Sequence, residues 1–272
     1  MSEIIIVKAK ESAALGPLGA GFAYGFGLFE TIKFVEGRLV FWKEHWSRLQ
    51  ASAKFFDMDC SFAEADILRA IRELVEHDGI SESMIKLSLL RNAVGTQLFV
   101  YARPKADTTE SVKLKLETKC PIHPYSMLAG HKTHNYMENM SLFEGARKEG
   151  YYDALRLDTL GYLAETTIGN LFFILEGRLC TPSLMHGILP GVVRAEVLKH
   201  FDVEEGSYYP DVFERADAVF MTNSGSGLLP VTGLSGAGID RHFDSVDQPF
   251  LADVRSTLAG LERDSSVRID LL

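Results

Sequence analysis

Hydrophobic and polar positions along the first third of the chain repeat with two different periods. Phe29-Glu30-Thr31-Ile32-Lys33-Phe34-Val35 and Arg38-Leu39-Val40-Phe41 read as strands, and Glu36-Gly37 between them predicts a hairpin. Lys43 to Phe56 reads as a helix. So does Glu64 to His77, where Ile67, Leu68, Ile71, Leu74 and Val75 share one helical face. Strands are predicted over Met84 to Arg91, Gln97 to Ala102 and Val112 to Leu116. Two prolines in Cys120-Pro121-Ile122-His123-Pro124-Tyr125-Ser126 then predict a break. Beyond it the pattern gives a helix near Asn139 to Lys148 and a hairpin of Leu171 to Leu175 with Arg178 to Cys180 across Glu176-Gly177. It also gives a helix from Val192 to Phe201, a buried strand at Ala218 to Met221 and an apolar helical face in Pro249 to Leu261. The expectation is an α+β protein of two domains: residues 1–119, a linker at 120–126, and residues 127–272.

Composition narrows the class. Hydrophobic residues make up 46% and charged residues 24% of 272, an ordinary globular balance. Acids outnumber bases 37 to 28, for a formal charge of −9, which argues against nucleic acid as a partner. Any anionic ligand must therefore be held by local donors. Ile4 to Val7 is too short for a signal peptide and no segment reaches the length of a membrane span, so no membrane association is expected. Cys60, Cys120 and Cys180 form no Cys-x-x-Cys pair and point to a reducing, cytoplasmic setting.

Several segments could carry chemistry. Pro190-Gly191-Val192-Val193-Arg194 reads as a helix start, whose free N–H groups suit a phosphate without basic side chains. Thr222-Asn223-Ser224-Gly225-Ser226-Gly227 is a Gly/Ser loop after a strand, suited to an anion nest. Lys132 lies in a polar segment and would act as a nucleophile only if its environment lowered its pKa. A metal reading of Cys120, His123, His131 and His134 is weakened by the flanking prolines and by the lack of paired ligands, so no metal is expected.

Four segments together resemble one family. They are His45-Trp46-Ser47-Arg48-Leu49, Lys132-Thr133-His134-Asn135-Tyr136-Met137-Glu138-Asn139, Leu163-Ala164-Glu165-Thr166-Thr167-Ile168-Gly169-Asn170 and Leu189-Pro190-Gly191-Val192-Val193-Arg194. In this order they resemble the class IV, or fold type IV, pyridoxal-phosphate enzymes, which include D-amino-acid aminotransferase, branched-chain aminotransferase and aminodeoxychorismate lyase. The resemblance runs from about Gly21 to Val231. It implies a two-domain fold with pyridoxal 5'-phosphate at the domain interface, and a homodimer.

Residue by residue, the resemblance implies that Lys132 is the Schiff-base lysine and Glu165 the partner of the pyridine nitrogen, keeping the ring an electron sink. Arg48, the amides of Val192 and Val193, and Asn223, Ser224 and Gly225 would hold the phosphate, with Arg194 structural. Tyr136 would either hydrogen-bond the cofactor's phenolic oxygen or pack. Tyr24, Phe29 and Arg91 would meet a small amino-bearing carboxylate substrate. The chain departs from the family pattern at Phe26, where Asp is usual, and at Asn92, where Gly follows the arginine. The activity implied is 4-amino-4-deoxychorismate lysis to pyruvate and 4-aminobenzoate, in folate biosynthesis. The alternatives are a D-amino-acid or branched-chain-type aminotransferase and, more remotely, a noncatalytic or metal-binding module.

Overall fold

The computed structural model describes residues 3–7, 19–93, 95–105 and 109–269, with backbone only for residues 3–7. The chain divides into two compact units. The first comprises residues 1–106, 131–135 and 261–272, and the second residues 107–130 and 136–260.

The first unit is an antiparallel sheet packed against helices. Its strands are β1 (Glu3–Val7), β2 (Gly27–Val35), β3 (Arg38–Leu39), β4 (Glu82–Asn92) and β5 (Gly95–Arg103), in the order β1-β5-β4-β2-β3, and Val267–Arg268 pairs beyond β3. The hairpin between β2 and β3 forms as the sequence predicts. Glu36 and Gly37 both have positive φ, 50° and 74°, the backbone that a two-residue turn needs to match strand twist. Helices α1 (Ala20–Tyr24), α2 (Trp42–Phe55) and α3 (Glu64–His77) complete the unit. Period-two alternation sorts β2 into two faces. Leu28, Ile32 and Phe34 join Trp46, Leu49, Ile67, Ile71, Ile85, Leu87 and Leu89 in the core. Glu30 shares their parity and is buried with them, whereas Phe29 and Thr31 have the opposite parity.

The second unit is a closed barrel. Its strands are β6 (Val112–Ile122), β7 (Asp153–Asp158), β8 (Leu163–Thr166), β9 (Asn170–Leu175), β10 (Arg178–Pro182), β11 (Val203–Gly206), β12 (Ala216–Asn223), β13 (Gly227–Gly236) and β14 (Ile239–His242). Pairing runs β9-β12-β13-β6-β7-β8, and β8 pairs back onto β9 through Glu165 and Asn170, which closes the ring. Closure removes the edges that an open sheet would leave unpaired. Leu114, Leu155, Leu163, Leu171, Phe173, Met221 and Val231 fill the core. Helices α4 (Met137–Lys148), α5 (Val192–His200) and α6 (Pro249–Asp264) accompany the barrel, the last four or so residues of α6 belonging to the first unit.

The expected boundary at 120–126 is corrected by this arrangement. β6 continues through Cys120 and Pro121 to Ile122, and the division falls earlier, between residues 106 and 107. Pro121 is tolerated because the β6–β7 ladder loses register between Glu117 and Ile122, so no ladder bond is demanded of it. The expected 127–272 domain is also discontinuous, since residues 131–135 and 261–272 belong with the first unit. No helix among the described residues is long and apolar enough to cross a membrane.

Candidate active site

Lys132 is fixed by its backbone to the start of β2. The Phe29 N–H donates to the Lys132 carbonyl at 2.9 Å, the His134 N–H donates to the Gly27 carbonyl at 2.8 Å, and Leu28 bridges Thr133. A five-residue segment thus serves as a short extra strand, which explains its membership of the first unit. The Lys132 ammonium stands 4.6 Å from the centre of the Phe29 ring. Phe29, named from the sequence as a substrate contact, is a buried floor beneath the amine.

A second lysine shares that floor, and the sequence reading missed it. Lys86 on β4 lies opposite Thr31, donates to the Thr31 hydroxyl at 2.7 Å and places its Nζ 3.9 Å from the Phe29 ring centre. Burial, then the positive charges of Lys132 and Arg103, lower its pKa to about 7. The only sequence signal was one Lys in an otherwise apolar strand, Met84-Ile85-Lys86-Leu87. His134 packs 5.3 Å from Phe29, and burial together with the Lys86 charge lowers its pKa to about 4. Its Nε2 is buried with no hydrogen-bond partner among the described residues.

Arg48 lies beneath the sheet in a buried cluster. Its Nε and Nη2 donate to the two oxygens of Glu30 at 2.8 and 2.7 Å, and His45 Nδ1 lies 2.7 Å from Glu30 Oε2. Burial by itself would raise the Glu30 carboxyl pKa, but Arg48 and then His45 outweigh it and hold it far below the usual carboxylate range. For His45 burial wins over Glu30 and lowers the pKa, so the contact is a hydrogen bond from neutral imidazole rather than an ion pair. Glu30 thereby fixes the plane of the Arg48 fork.

Removing Arg48 strands this carboxylate. Arg48→Ala is expected to cost about 3–5 kcal/mol of stability, the penalty for breaking one side of a buried pair. The Glu30 contribution is present above its unfolded pKa near 4.5 and disappears as pH falls toward the depressed folded value. Urea unfolding at pH 7 measures the loss, which should shrink in acid. An unchanged midpoint in Arg48→Ala would show that Glu30 is solvated.

In the second unit Glu165 is held from two sides. Asn170 Nδ2 donates to Oε2 at 2.9 Å and the Leu189 N–H donates to Oε1 at 3.1 Å, while Asn170 Nδ2 also reaches the Leu189 carbonyl at 2.9 Å. Asn170 is therefore the hub joining the β8–β9 closure to the Leu189-Pro190-Gly191 turn. Gly191 is required there, because a Cβ on it would stand 2.0 Å from Asn170 Oδ1. α5 starts at Val192 with Gly191 as N-cap and no side-chain cap, so its opening amides are directed by the turn alone. Arg194 is buried and donates to the Pro182 carbonyl and to Glu205, a structural role as expected.

Three other expectations change. The Tyr136 hydroxyl donates its single proton to the Thr167 carbonyl at 2.6 Å, so it is not a ready donor to a cofactor's phenolic oxygen. Asn223 Oδ1 accepts from the amides of Gly225 and Ser226 at 2.9 and 2.8 Å, which turns the Gly225 N–H into the loop instead of toward an anion. Ser224 sits at the tip of that turn, and the neighbouring Thr222 hydroxyl is buried without a hydrogen-bond partner among the described residues. Arg91 donates to the carbonyls of Phe56 and Asp57 and stacks 4.2 Å from the Phe26 ring centre, a structural engagement rather than a carboxylate site. Phe26 thus offers its ring face to Arg91. Tyr24 is exposed at the end of α1.

The histidines of the metal reading diverge. His131 bonds Ser52 and stacks on Phe55, His134 faces Phe29, and His123 packs on Tyr125. Among the described residues no group of three or more His, Cys, Asp or Glu could hold a metal ion.

The donor chemistry fits a pyridoxal phosphate. An amine on an aromatic floor, a carboxylate held by two donors, an uncapped helix start and, among the described residues, a partnerless buried atom at His134 fall on the motif segments, and Thr222 in the Gly/Ser loop also has a partnerless buried hydroxyl. The two folds are those of a fold type IV enzyme. Residues 27–234 match the family described as Amino-transferase class IV, and the chain belongs to that family of pyridoxal-phosphate enzymes. It is 24% identical over 252 residues to a branched-chain-amino-acid aminotransferase of Escherichia coli (strain K12), covering 83% of this chain and 82% of that one. It is 27% identical over 241 residues to an aminodeoxychorismate lyase of Bacillus subtilis (strain 168), covering 82% of each. A solved Legionella pneumophila protein, provisionally named a 4-amino-4-deoxychorismate lyase, superposes with a TM-score of 0.84 at 28% identity, covering 94% of this chain and 98% of that one.

Proposed function

We propose that this enzyme is a 4-amino-4-deoxychorismate lyase that releases pyruvate and 4-aminobenzoate, with Lys132 and Glu165 serving one pyridoxal phosphate. The observation that carries the reading is the pair of amines, Lys132 and Lys86, over the Phe29 ring. When bound, the cofactor supplies an electron sink for charge developing beside the substrate nitrogen. Lys132 would hold the cofactor through its amine and, once free, would move the proton beside the substrate nitrogen. Glu165, oriented by Asn170 and the Leu189 amide, keeps the proton on the pyridine nitrogen. Arg48, held in plane by Glu30, and in the second unit the opening amides of α5 and Ser224 would be the phosphate donors. Lys86, over the Phe29 ring, would offer a second cation to an anionic substrate.

The lyase is favoured over transamination by the Lys-Thr-His-Asn-Tyr-Met-Glu-Asn run and by a substrate that carries two carboxylates, for which Lys86 supplies a partner. D-amino-acid or branched-chain-type transamination is the second reading, supported by the Escherichia coli relative. A cytoplasmic homodimer belongs to the same reading. Side-by-side assays decide it: cleavage of aminodeoxychorismate without amino transfer to keto acids is expected, and the reverse result overturns the lyase.

Lys86 gives the reading a pH dependence. Its ammonium form binds an anion and is lost as pH rises through its pKa, about 7 in the cofactor-free chain. KM is therefore expected to rise on the alkaline side of neutrality, and Lys86→Met should raise KM roughly tenfold or more and flatten the rise. A pH profile of KM that is identical in the variant would remove Lys86 from substrate binding.

A further inference from the structure

The second unit carries a nucleophile, a base and an orienting acid that no step above uses. His186, in the short 3-10 helix Leu184–His186, places Nδ1 2.8 Å from Asp158 Oδ2 and Nε2 2.9 Å from Ser207 Oγ. Asp158 and His186 side chains are 1% and 3% exposed, whereas Ser207 is exposed. From this relay we propose that Ser207 is an acyl-accepting nucleophile, with His186 as its general base, and that the site hydrolyses activated esters of apolar acyl groups.

The hydrogen-bond inventory fixes the direction of the relay. An ionised carboxylate only accepts, so a neutral His186 carries its proton on Nδ1, facing Asp158. Nε2 is then an acceptor, and Ser207 must donate to it. The other contact of the Ser207 hydroxyl, Met185 Sδ at 3.8 Å, is a weak acceptor and cannot compete for the single proton. Asp158 is itself immobilised, because its Oδ1 accepts from the Leu160 and Tyr162 amides at 2.8 and 2.9 Å. The imidazole is braced by Tyr162, with ring centres 5.1 Å apart, and Tyr162 in turn stacks on Tyr209 at 4.3 Å. A nucleophile bonded to a base, and the base to an orienter, is the arrangement that acyl transfer requires.

The surroundings point to the substrate class. Leu160, Met185 and Tyr209 are all exposed, and each lies within two residues of a member of the relay. Exposed apolar side chains on the segments that carry the relay, with Met185 against the Ser207 hydroxyl, suit an acyl chain better than a charged group. In the reaction, Ser207 Oγ bonds to the acyl carbon as the ester C–O bond breaks. The hydroxyl proton passes to His186 Nε2 and on to the departing alkoxide. Water, deprotonated by the same nitrogen, then releases the carboxylic acid and restores Ser207.

The test uses the intact holoenzyme with p-nitrophenyl butyrate and a fluorophosphonate probe, followed by peptide mass spectrometry. The expected result is stoichiometric acylation and phosphonylation of Ser207, both abolished in Ser207→Ala, with the pyridoxal-phosphate reaction unchanged in that variant. In Ser207→Cys, the introduced thiol should be alkylated by iodoacetamide at pH 6 about tenfold or more faster than Cys60 or Cys120, because an imidazole beside a thiol favours the thiolate. An unlabelled Ser207 in the native protein, or an introduced thiol no more reactive than the native ones, overturns the proposal and leaves the relay as a brace for the β7–β8 turn. Because the readout is a covalent label on Ser207, its failure is separate from any failure of the lyase reading.

Discussion

Lys132→Ala is expected to abolish covalent cofactor attachment and all turnover. The variant keeps the Phe29 and Gly27 backbone bonds that seat the segment, since these use the carbonyl of residue 132 and the amide of His134. Folding should therefore survive while the chemistry does not. Among the described residues, Lys86 is an amine that could substitute, since it stands over the same ring with a lowered pKa. Borohydride reduction followed by mass spectrometry distinguishes the two: the pyridoxyl adduct is expected on Lys132 in the native enzyme and nowhere in Lys132→Ala. An adduct on Lys86 in the native protein would exchange the roles assigned to the two lysines.

Glu165→Ala is expected to lower kcat by about 10²–10³-fold, the scale seen when one preorganised electrostatic partner is removed from a transition state. Cofactor affinity should fall much less, because the phosphate donors are elsewhere. The variant also releases Asn170 Nδ2 and the Leu189 amide from their carboxylate, so Glu165→Gln is the cleaner comparison. Glutamine keeps an oxygen for the Leu189 amide but cannot hold a proton on the pyridine nitrogen. Near-native kcat in Glu165→Gln would dismiss the electron-sink role.

Elements whose pattern is local were legible in the sequence. The two Glu-Gly hairpins and helix Glu64–His77 stand where the periodicity put them, because turn chemistry and an apolar stripe act over a few residues. β7 was not legible. Its Asp153, Arg156 and Asp158 look like surface residues, yet all three are buried. Asp153 is satisfied by Thr167 and the Ala154 amide, Arg156 by the Cys120 carbonyl and Asn139, and Asp158 by the His186 relay. β13 was hidden by Pro230 and three glycines, which read as loop. In both cases distant groups override a local signal.

The site divided in the same way. Motif resemblance named Lys132, Glu165, Arg48 and the Gly191 turn, but it could not show that Glu30 occupies two nitrogens of Arg48 or that Thr167 takes the Tyr136 proton. Those facts depend on partners 18 and 31 residues away. Lys86 escaped because a lone lysine in a strand is normally solvated, and only the pairing of β4 with β2 brings it over Phe29.

The first unit takes in residues 131–135 and the strand at Val267–Arg268, where Lys33 also meets Glu262 at 2.7 Å and the Ile269 amide bonds the Gly37 carbonyl. On the ribosome, this half of the protein therefore cannot finish first. Its opening strands must wait, with the β3 edge unpaired, until nearly the whole chain has been synthesised, so an N-terminal fragment ending near residue 119 would present that edge and the bare end of β2 to other chains.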